Sequence, residues 1–446
     1  MRCIIDALLT AVTATAARHP LRPALVHNGI PIGYGRLAEE IDRARRRLGA
    51  RPGTVAVDAV HRPGTIVSLL GTWAAGGTYC PIDPAFPAQR RQAMAAAAAG
   101  APADLAYVLF TSGSTGEPKP VGTPRAALDA VVPALAGLFE LTDADRVLQF
   151  ASLNWDTCFE EILPALLSGA AVVLADDALS GSFPRFLRAL ERDRVSVLDL
   201  PTAFWHELVR HLADDGAGLP PCVRLVVIGG EAVAPARLAQ WHALPTRGVR
   251  LLNTYGCTET TQITHAAELT GAAEAPIGRA LPHVRERIGA GGELWIGGPA
   301  LARGYLGRPA DTAERFVELD GERWFRTGDR VARRADGGLD HLGRLDRQVK
   351  IRGIRVDPGE VEARIAEHPR VRAVAVVPAT RAGHTVLVAY VELDGAADVA
   401  AFLRGRVPDH LIPARIEVVP RLAYTATGKV DRLATASAHA PEEVVR

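Results

Sequence analysis

With 446 residues, 48% of them hydrophobic and 23% charged, the chain has the composition of an ordinary globular enzyme and the length for two or three domains. Its 51 basic and 50 acidic residues leave a net charge of +1, which gives nucleic acid or a membrane surface no electrostatic footing as a partner. The five cysteines, Cys3, Cys80, Cys158, Cys222 and Cys257, lie far apart with no CxxC pair. They leave a metal or a disulfide open and fit a reducing, cytoplasmic setting better than secretion.

The opening "MRCIIDALLTAVTATAARHP" has an apolar stretch, but Asp6 interrupts it, and Leu8, Leu9 and Val12 recur as on an amphipathic helix rather than a signal peptide. No apolar run is long enough to span a membrane. "DRARRRLG" (42–49) reads as a solvated helix face in preference to a phosphate-binding patch, and the alanine run at 95–99 as helix or loop. Short apolar runs then alternate with helical patterns. "AAVVLA" (170–175), "VSVLDL" (195–200), "RLVVIGG" (224–230) and "VRLLNTYG" (249–256) read as buried strands, with "SFPRFLRALERD" (182–193) and "AVAPARLAQWHAL" (232–244) as helices between them.

This alternation predicts an α/β fold: a large N-terminal domain, residues 1–342, with mostly parallel sheets covered by helices. Ligands on such sheets sit in loops beyond the strand carboxyl ends, here "IGGEA" (228–232) and "NTYGCTETT" (253–261). After Gly291 the texture changes to short strands and turns. Residues 343–446 read as a small α+β C-terminal domain, with a helix in "EVEARIAEH" and strands in "RAVAVVPA" and "HTVLVAYVEL".

"TSGSTGEPKP" (111–120) gathers small residues, hydroxyls and a lysine, yet it is not a Walker loop, because two residues rather than four separate Gly113 from Gly116 and Lys119 comes later. Its backbone N–H groups, the hydroxyls of Thr111, Ser112, Ser114 and Thr115, and the point charge of Lys119 suit an anion. By spacing alone a surface turn is an equal reading.

Its company narrows the choice. "LAYVLFTSGSTGEPKPV" (105–121) resembles the phosphate-loop signature of adenylate-forming enzymes, specifically the amino-acid adenylation domains of nonribosomal peptide synthetases. In the family's order stand "AAGGTYCPIDP" (74–84), "NTYGCTETT" (253–261), "GELWIGGPALARGYLGRP" (292–309), "WFRTGDRV" (324–331), "GRLDRQVKIRGIRVDPGEVE" (343–362) and "TATGKVDR" (425–432).

The resemblance implies two steps. ATP and an amino acid give an aminoacyl-adenylate and pyrophosphate, and the acyl group then passes to the phosphopantetheine thiol of a carrier protein. It implies that Thr111 to Gly116 and Lys119 hold the departing phosphates, that Glu259 ligates Mg²⁺, and that Thr258 meets the α-phosphate. Tyr255 would stack on adenine beside Gly256, with the Gly230–Glu231–Ala232 backbone and Asn253 along the base edge. Asp329 and Arg344 would take the ribose. Lys429 would bridge the substrate carboxylate and the forming adenylate. The small α+β C-terminal domain, 343–446, would be a mobile lid that rotates about Asp346, bringing Gly353 to face the pantetheine.

The segment "ASLNWDTCFEEILPALLSGA" (151–170) matches the family's stretch in which an aspartate, here Asp156, holds the substrate α-ammonium; a helix N-cap is the plain alternative. The resemblance carries Thr157, Glu160, Thr202, Val227, Gly229, Thr254, Gln262 and Ile263 over as the pocket lining. Glu160 stands where a bulky aromatic is usual. A closed pocket penalises an unpaired carboxylate, so a basic substrate side chain is expected as its partner, an internal Arg or Lys being the rival. Gly229 and Thr254 are expected to leave depth.

Three positions depart from the family pattern: Pro120 for a glycine, Arg125 for a histidine, and His341 for a ribose-contacting tyrosine. The expected protein is a free-standing adenylating ligase that loads a stand-alone peptidyl carrier protein, with an MbtH-like protein as a possible helper. An acyl- or aryl-CoA ligase of the same superfamily and a non-catalytic nucleotide-binding subunit are the alternatives.

Overall fold

In the computed structural model, which describes residues 3–112, 117–216, 218–246, 248–271, 274–351, 353–381, 384–425 and 430–439, the chain divides into two units. The first holds Met1–Asp83, Ala95–Leu109 and Pro120–Leu345; the second holds Pro84–Met94, Phe110–Lys119 and Asp346–Arg446.

The helix α1 (Thr157–Leu167) leads into the strand β1 (Ala171–Leu174), followed by α2 (Phe183–Arg192), β2 (Val197–Pro201), α3 (Thr202–Asp215), β3 (Leu225–Gly229), α4 (Pro235–Ala243), β4 (Arg250–Gly256) and β5 (Ile263–Glu268). These strands build a nine-stranded sheet in the order Arg279–Ala280, β5, β4, β3, β2, Arg146–Leu148, β1, Pro23–His27, Ile30–Gly33. Its interior is parallel and antiparallel pairs sit at both edges. The four strands read from apolar runs are all present, within two residues at each end.

Period-two alternation sends the side chains of one strand to opposite faces. Val197, Val227 and Leu252 pack toward α1, with Phe159, Ile162 and Leu163. Leu198, Ile228 and Leu251 pack toward α2, α3 and α4, with Phe186, Trp205 and Trp241. Each such fully buried side chain contributes about 1.5–3 kcal/mol before conformational entropy is charged. The N-terminal helix, Ile4–Arg18, buries Ile5, Leu8 and Val12, and Leu9 is only partly covered. The arginine-rich stretch is a solvated face of the helix Tyr34–Leu48, where Arg45 bonds Asp42 at 2.7 Å. The alanine run ends the helix Ala88–Ala98.

A second sheet carries Thr54–Asp58, Thr78–Ile82, Leu105–Thr111, Lys119–Pro124 and Gly304–Tyr305. Beyond Gly291 the chain turns antiparallel: β6 (Glu293–Gly297) pairs with β7 (Glu322–Arg333), which also pairs with β8 (Leu339–Arg344).

In the second unit, the hairpin of β9 (Val349–Ile351) and β10 (Ile354–Val356) precedes α5 (Pro358–Ala366). Asp357 caps α5, its carboxylate accepting the Gly359 N–H at 2.8 Å. The strands β11 (Val371–Arg381) and β12 (His384–Leu393) are antiparallel, and β13 (Arg415–Val418) lies parallel to β12. Arg432 grips Glu362 with two bonds, at 2.5 and 2.6 Å. All five cysteines are free thiols, and no helix among the described residues is long and apolar enough to cross a membrane.

Candidate active site

The N-terminal turn of α1 gathers carboxyl groups. Asp156 occupies the N-cap position with helical dihedrals (φ −65°, ψ −26°), and its side chain makes no capping bond. The capping alternative therefore gives way. Burial raises the Asp156 pKa, and the neighbouring Thr258 hydroxyl and Gln262 backbone oppose the rise.

Glu160, one turn on and 7% exposed, shares the face of Asp156. Its partner is neither Arg nor Lys. It is Asp199, a second carboxyl, from the middle of β2 and 5% exposed. Burial pushes Glu160 well above the usual carboxylate range, and the neighbouring Asp199 and Asp156 push it further. Glu161 turns away from this group. Its carboxylate accepts the backbone N–H groups of Phe150 (2.9 Å) and Ala151 (3.0 Å) and the Gln149 amide (3.0 Å), fixing the approach to the helix.

Facing Asp156 is the single turn Thr258–Thr260. Glu259 within it is fully buried, and the Tyr305 hydroxyl donates to its Oε1 at 2.8 Å. Thr261 and Gln262 follow with φ of +58° and +67°, two successive non-glycine residues in the left-handed region. The Thr261 hydroxyl fastens this turn to the Ala300 carbonyl at 2.6 Å. Both side-chain amide atoms of Gln262 are buried without a hydrogen-bond partner, which marks a place where a ligand could satisfy them. Gly256 permits the turn, since a Cβ there would stand 1.9 Å from the Gln262 carbonyl oxygen.

The remaining wall comes from neighbouring strands. Val227 lies in register between Asp199 and Leu252, and Gly229 between Pro201 and Thr254. A Cβ on Gly229 would meet the Thr254 hydroxyl oxygen at 2.6 Å, so the packing of these two strands requires a glycine here. Thr202 is fully buried and donates to the Gly229 carbonyl at 3.0 Å. Ile263 is buried, and Thr157, half-buried, opens α1.

A second cluster surrounds Asp329. The Tyr255 hydroxyl donates to its Oδ2 (2.6 Å), while Arg344 Nη1 (2.7 Å) and His341 Nε2 (3.2 Å) reach Oδ1. Burial alone would raise the Asp329 pKa; the His341 bond, the Arg344 charge and the Tyr255 bond outweigh it and bring the value to about 2. His341 thus stands beside Asp329, at the position where the family pattern has a tyrosine. The Asn253 amide donates to the Pro276 carbonyl at 2.7 Å, and Gly230, Glu231 and Ala232 form the loop after β3.

In the second unit Thr111 ends its strand, the Ser112 hydroxyl donates to the Arg355 carbonyl (2.8 Å), and Lys119 begins the next strand. Asp346 is the first residue after the boundary between the units, its Oδ1 accepting the Gln348 N–H at 3.1 Å. Gly113, Ser114, Thr115, Gly116 and Lys429 lie outside the described residues. Of the departures, the Pro120 carbonyl accepts the Leu306 N–H at 2.8 Å and Arg125 donates to the Gly77 carbonyl, so both are absorbed into the fold.

For Mg²⁺ the donor set is apt. Among the described residues no cluster of three or more His, Cys, Asp or Glu could cage an ion, and a cation shared with nucleotide phosphates takes only one or two carboxylates from a protein. Glu259, buried and oriented by Tyr305, would suit that need.

Residues 12–99 and 95–306 match the family model described as "AMP-binding enzyme", and residues 360–429 match "AMP-binding enzyme C-terminal domain". The chain belongs to the AMP-binding enzyme family. This AMP-binding enzyme is 39% identical to an isonitrile lipopeptide synthase of Streptomyces coeruleorubidus, over 96% of the chain and 33% of that protein. It is 35% identical to the phenyloxazoline synthase MbtB of Mycolicibacterium paratuberculosis, over 94% of the chain and 41% of that protein. It therefore spans well under half the length of these curated relatives. The solved amide bond synthetase McbA of Marinactinospora thermotolerans superposes with a TM-score of 0.84 at 25% identity, covering 97% of this chain and 99% of that one. The AMP-binding enzyme is thus an adenylate-forming, AMP-forming ligase of the nonribosomal-peptide-synthetase adenylation type.

Asp199 and Tyr305 are absent from the site expected on sequence. Each carries a signal: an aspartate inside a run that otherwise reads as an apolar buried strand, and a tyrosine inside a family motif to which no role attaches.

Proposed function

We propose that this ligase activates an α-amino acid with a cationic side chain and passes it to the phosphopantetheine thiol of a carrier protein. One observation carries the reading: Asp156, Glu160 and Asp199 are grouped at the start of α1, and among the described residues no Lys, Arg or His forms an ion pair with any of them. Enclosed carboxyl groups of this kind are costly without a cation. An α-ammonium at Asp156 and a terminal ammonium or guanidinium at Glu160 supply both charges, which favours arginine, lysine, ornithine or a close analogue. An acyl- or aryl-CoA ligase has no use for Asp156.

The nucleotide side follows the same logic. Attack of a carboxylate on the α-phosphate brings anion toward anion, so positive charge must line the path. Lys119 and the loop of residues 111–116 would hold the β,γ-phosphates, Glu259 a shared Mg²⁺ that neutralises them, and Thr258 the α-phosphate. Asp329, with Arg344 and His341, would take the ribose, Tyr255 and Gly256 the base face, and Asn253 with residues 230–232 the base edge. Lys429 would stabilise the forming adenylate, and Asp346 would act as the hinge between the two half-reactions.

The deciding experiment is radiolabelled pyrophosphate exchange across the proteinogenic amino acids plus ornithine and diaminobutyrate, followed by loading of a phosphopantetheinylated carrier. Preference for a basic amino acid is expected. Preference for a neutral or acidic one, or activity with aryl acids alone, would overturn the reading.

A further inference from the structure

Asp199 sits at the centre of β2, in register with Val227 of β3, which is itself in register with Leu252 of β4. Val227 and Leu252 pack against Phe159 and Ile162 of α1, and strand parity sends Asp199 to that same helix-covered face. There it stands against Glu160, the two carboxyls close enough to perturb each other directly. Both side chains are more than nine-tenths buried, and the Oδ2 atom of Asp199 has no N–H or hydroxyl donor. The two amide atoms of Gln262, on the turn beside Asp156, are buried without partners as well.

The titratable groups around this pair carry no positive charge among the described residues. Asp156 and Cys158 lie on or beside α1, Glu161 is close but directed to the Phe150 and Ala151 backbone, Tyr107 reaches the pair from the strand Leu105–Thr111, and Glu259 stands beyond Asp156. Two buried carboxyls in direct contact cannot both ionise unless a cation lies between them. With the pocket empty, that cation is a proton.

We propose that Glu160 and Asp199 form one cation-binding pair in the side-chain pocket, and that the terminal ammonium or guanidinium of the substrate displaces the proton they share. The exchange balances: R–NH₃⁺ and the singly protonated pair give R–NH₃⁺ held between two carboxylates, and one H⁺ passes to solvent. No bond of the substrate changes. Asp199 is then a specificity-determining residue, and side-chain recognition is coupled to pH. The inference rests on the basic-substrate reading above and goes beyond it in naming both the second carboxyl and the released proton.

The test measures KM for lysine, ornithine and arginine in pyrophosphate exchange between pH 6 and pH 8, for the intact chain and for Asp199→Asn and Glu160→Gln. While the pair holds its proton, each unit of lower pH should raise KM by up to about tenfold, because the proton competes with the substrate. Each variant keeps a single buried carboxyl, so its KM should be higher than wild type at pH 8. Calorimetric titration of the wild type with the best of the three, in buffers of different ionisation enthalpy, should show release of close to one proton near neutral pH; it needs no variant to fold. A basic amino acid activated with a pH-independent KM and no proton release overturns the exchange while leaving the basic-substrate reading intact. A neutral amino acid preferred by the wild type, with its KM unchanged in both variants, overturns both.

Discussion

The Tyr305 hydroxyl donates to Glu259 Oε1 at 2.8 Å, with Tyr305 only 5% exposed and Glu259 fully enclosed. The carboxylate expected to meet Mg²⁺ is thereby aimed by a residue that itself has no expected part in the chemistry. Tyr305→Phe removes the donor and keeps the ring. The Mg²⁺ concentration for half-maximal pyrophosphate exchange should rise several-fold, and thermal unfolding should report a loss of about 1–2 kcal/mol. An unaltered Mg²⁺ requirement would show that Tyr305 only supports the fold.

Glu160→Gln should weaken kcat/KM for a basic amino acid by about 2 kcal/mol or more, roughly thirtyfold, and leave glutamine or methionine almost unaffected. Its effect on stability should run the other way. The Glu160 pKa is raised in the folded chain, so its stabilising protonated form is fully present below the unfolded value and lost as pH rises through the folded one. The variant, which does not titrate, should gain on the wild type as pH increases from about 5 to 8, seen as a widening gap in Tm.

Asp329 has the opposite sign. Its pKa, lowered to about 2, gives stability that is present above the unfolded value and disappears as pH falls through the folded one. Asp329→Asn should lose about 2 kcal/mol at pH 7, an order-of-magnitude figure from the size of the shift. It should also bind AMP more weakly, as equilibrium dialysis would register. Equal AMP affinity in the variant and the wild type would remove Asp329 from the ribose site.

Lys429→Ala should depress kcat for adenylate formation by orders of magnitude while ATP affinity changes little, because the charge is needed mainly in the transition state. The residues that follow are held by the bidentate Arg432–Glu362 pair and by the Asp431 N–H to the Ala423 carbonyl at 2.8 Å. Near-normal exchange would remove Lys429 from the reaction.

Strands β1 to β4 were legible because each is a short apolar run bounded by turn residues, and their parallel pairing followed from the helices between them. The side-chain partners were not legible. Nothing local to "TCFEEI" tells which of two adjacent glutamates enters the pocket: Glu160 meets Asp199, and Glu161 is spent on the backbone of Phe150 and Ala151. That division depends on the phase of α1 against β2, a tertiary property. The close approach of Thr254 to Gly229 was not legible either, because the strand-to-strand approach is set by the sheet and not by its own sequence. The run from Tyr255 to Glu259 could be singled out because its residues are neighbours in the chain; what they hold is part of the proposal above.

The left-handed turn at Thr261 and Gln262 bears on how this pocket could change its preference over generations or in the laboratory. Two adjacent side-chain-bearing residues held at positive φ store on the order of 1–3 kcal/mol each, so replacements at these positions are judged first by whether the backbone still closes. Asparagine or glycine would ease the turn; valine or isoleucine would strain it before any new contact was made. Glu160 on a regular helix and Asp199 on a regular strand carry no such penalty. Retargeting the ligase to another amino acid should therefore succeed earliest in libraries that vary these two carboxyls together and leave the turn alone.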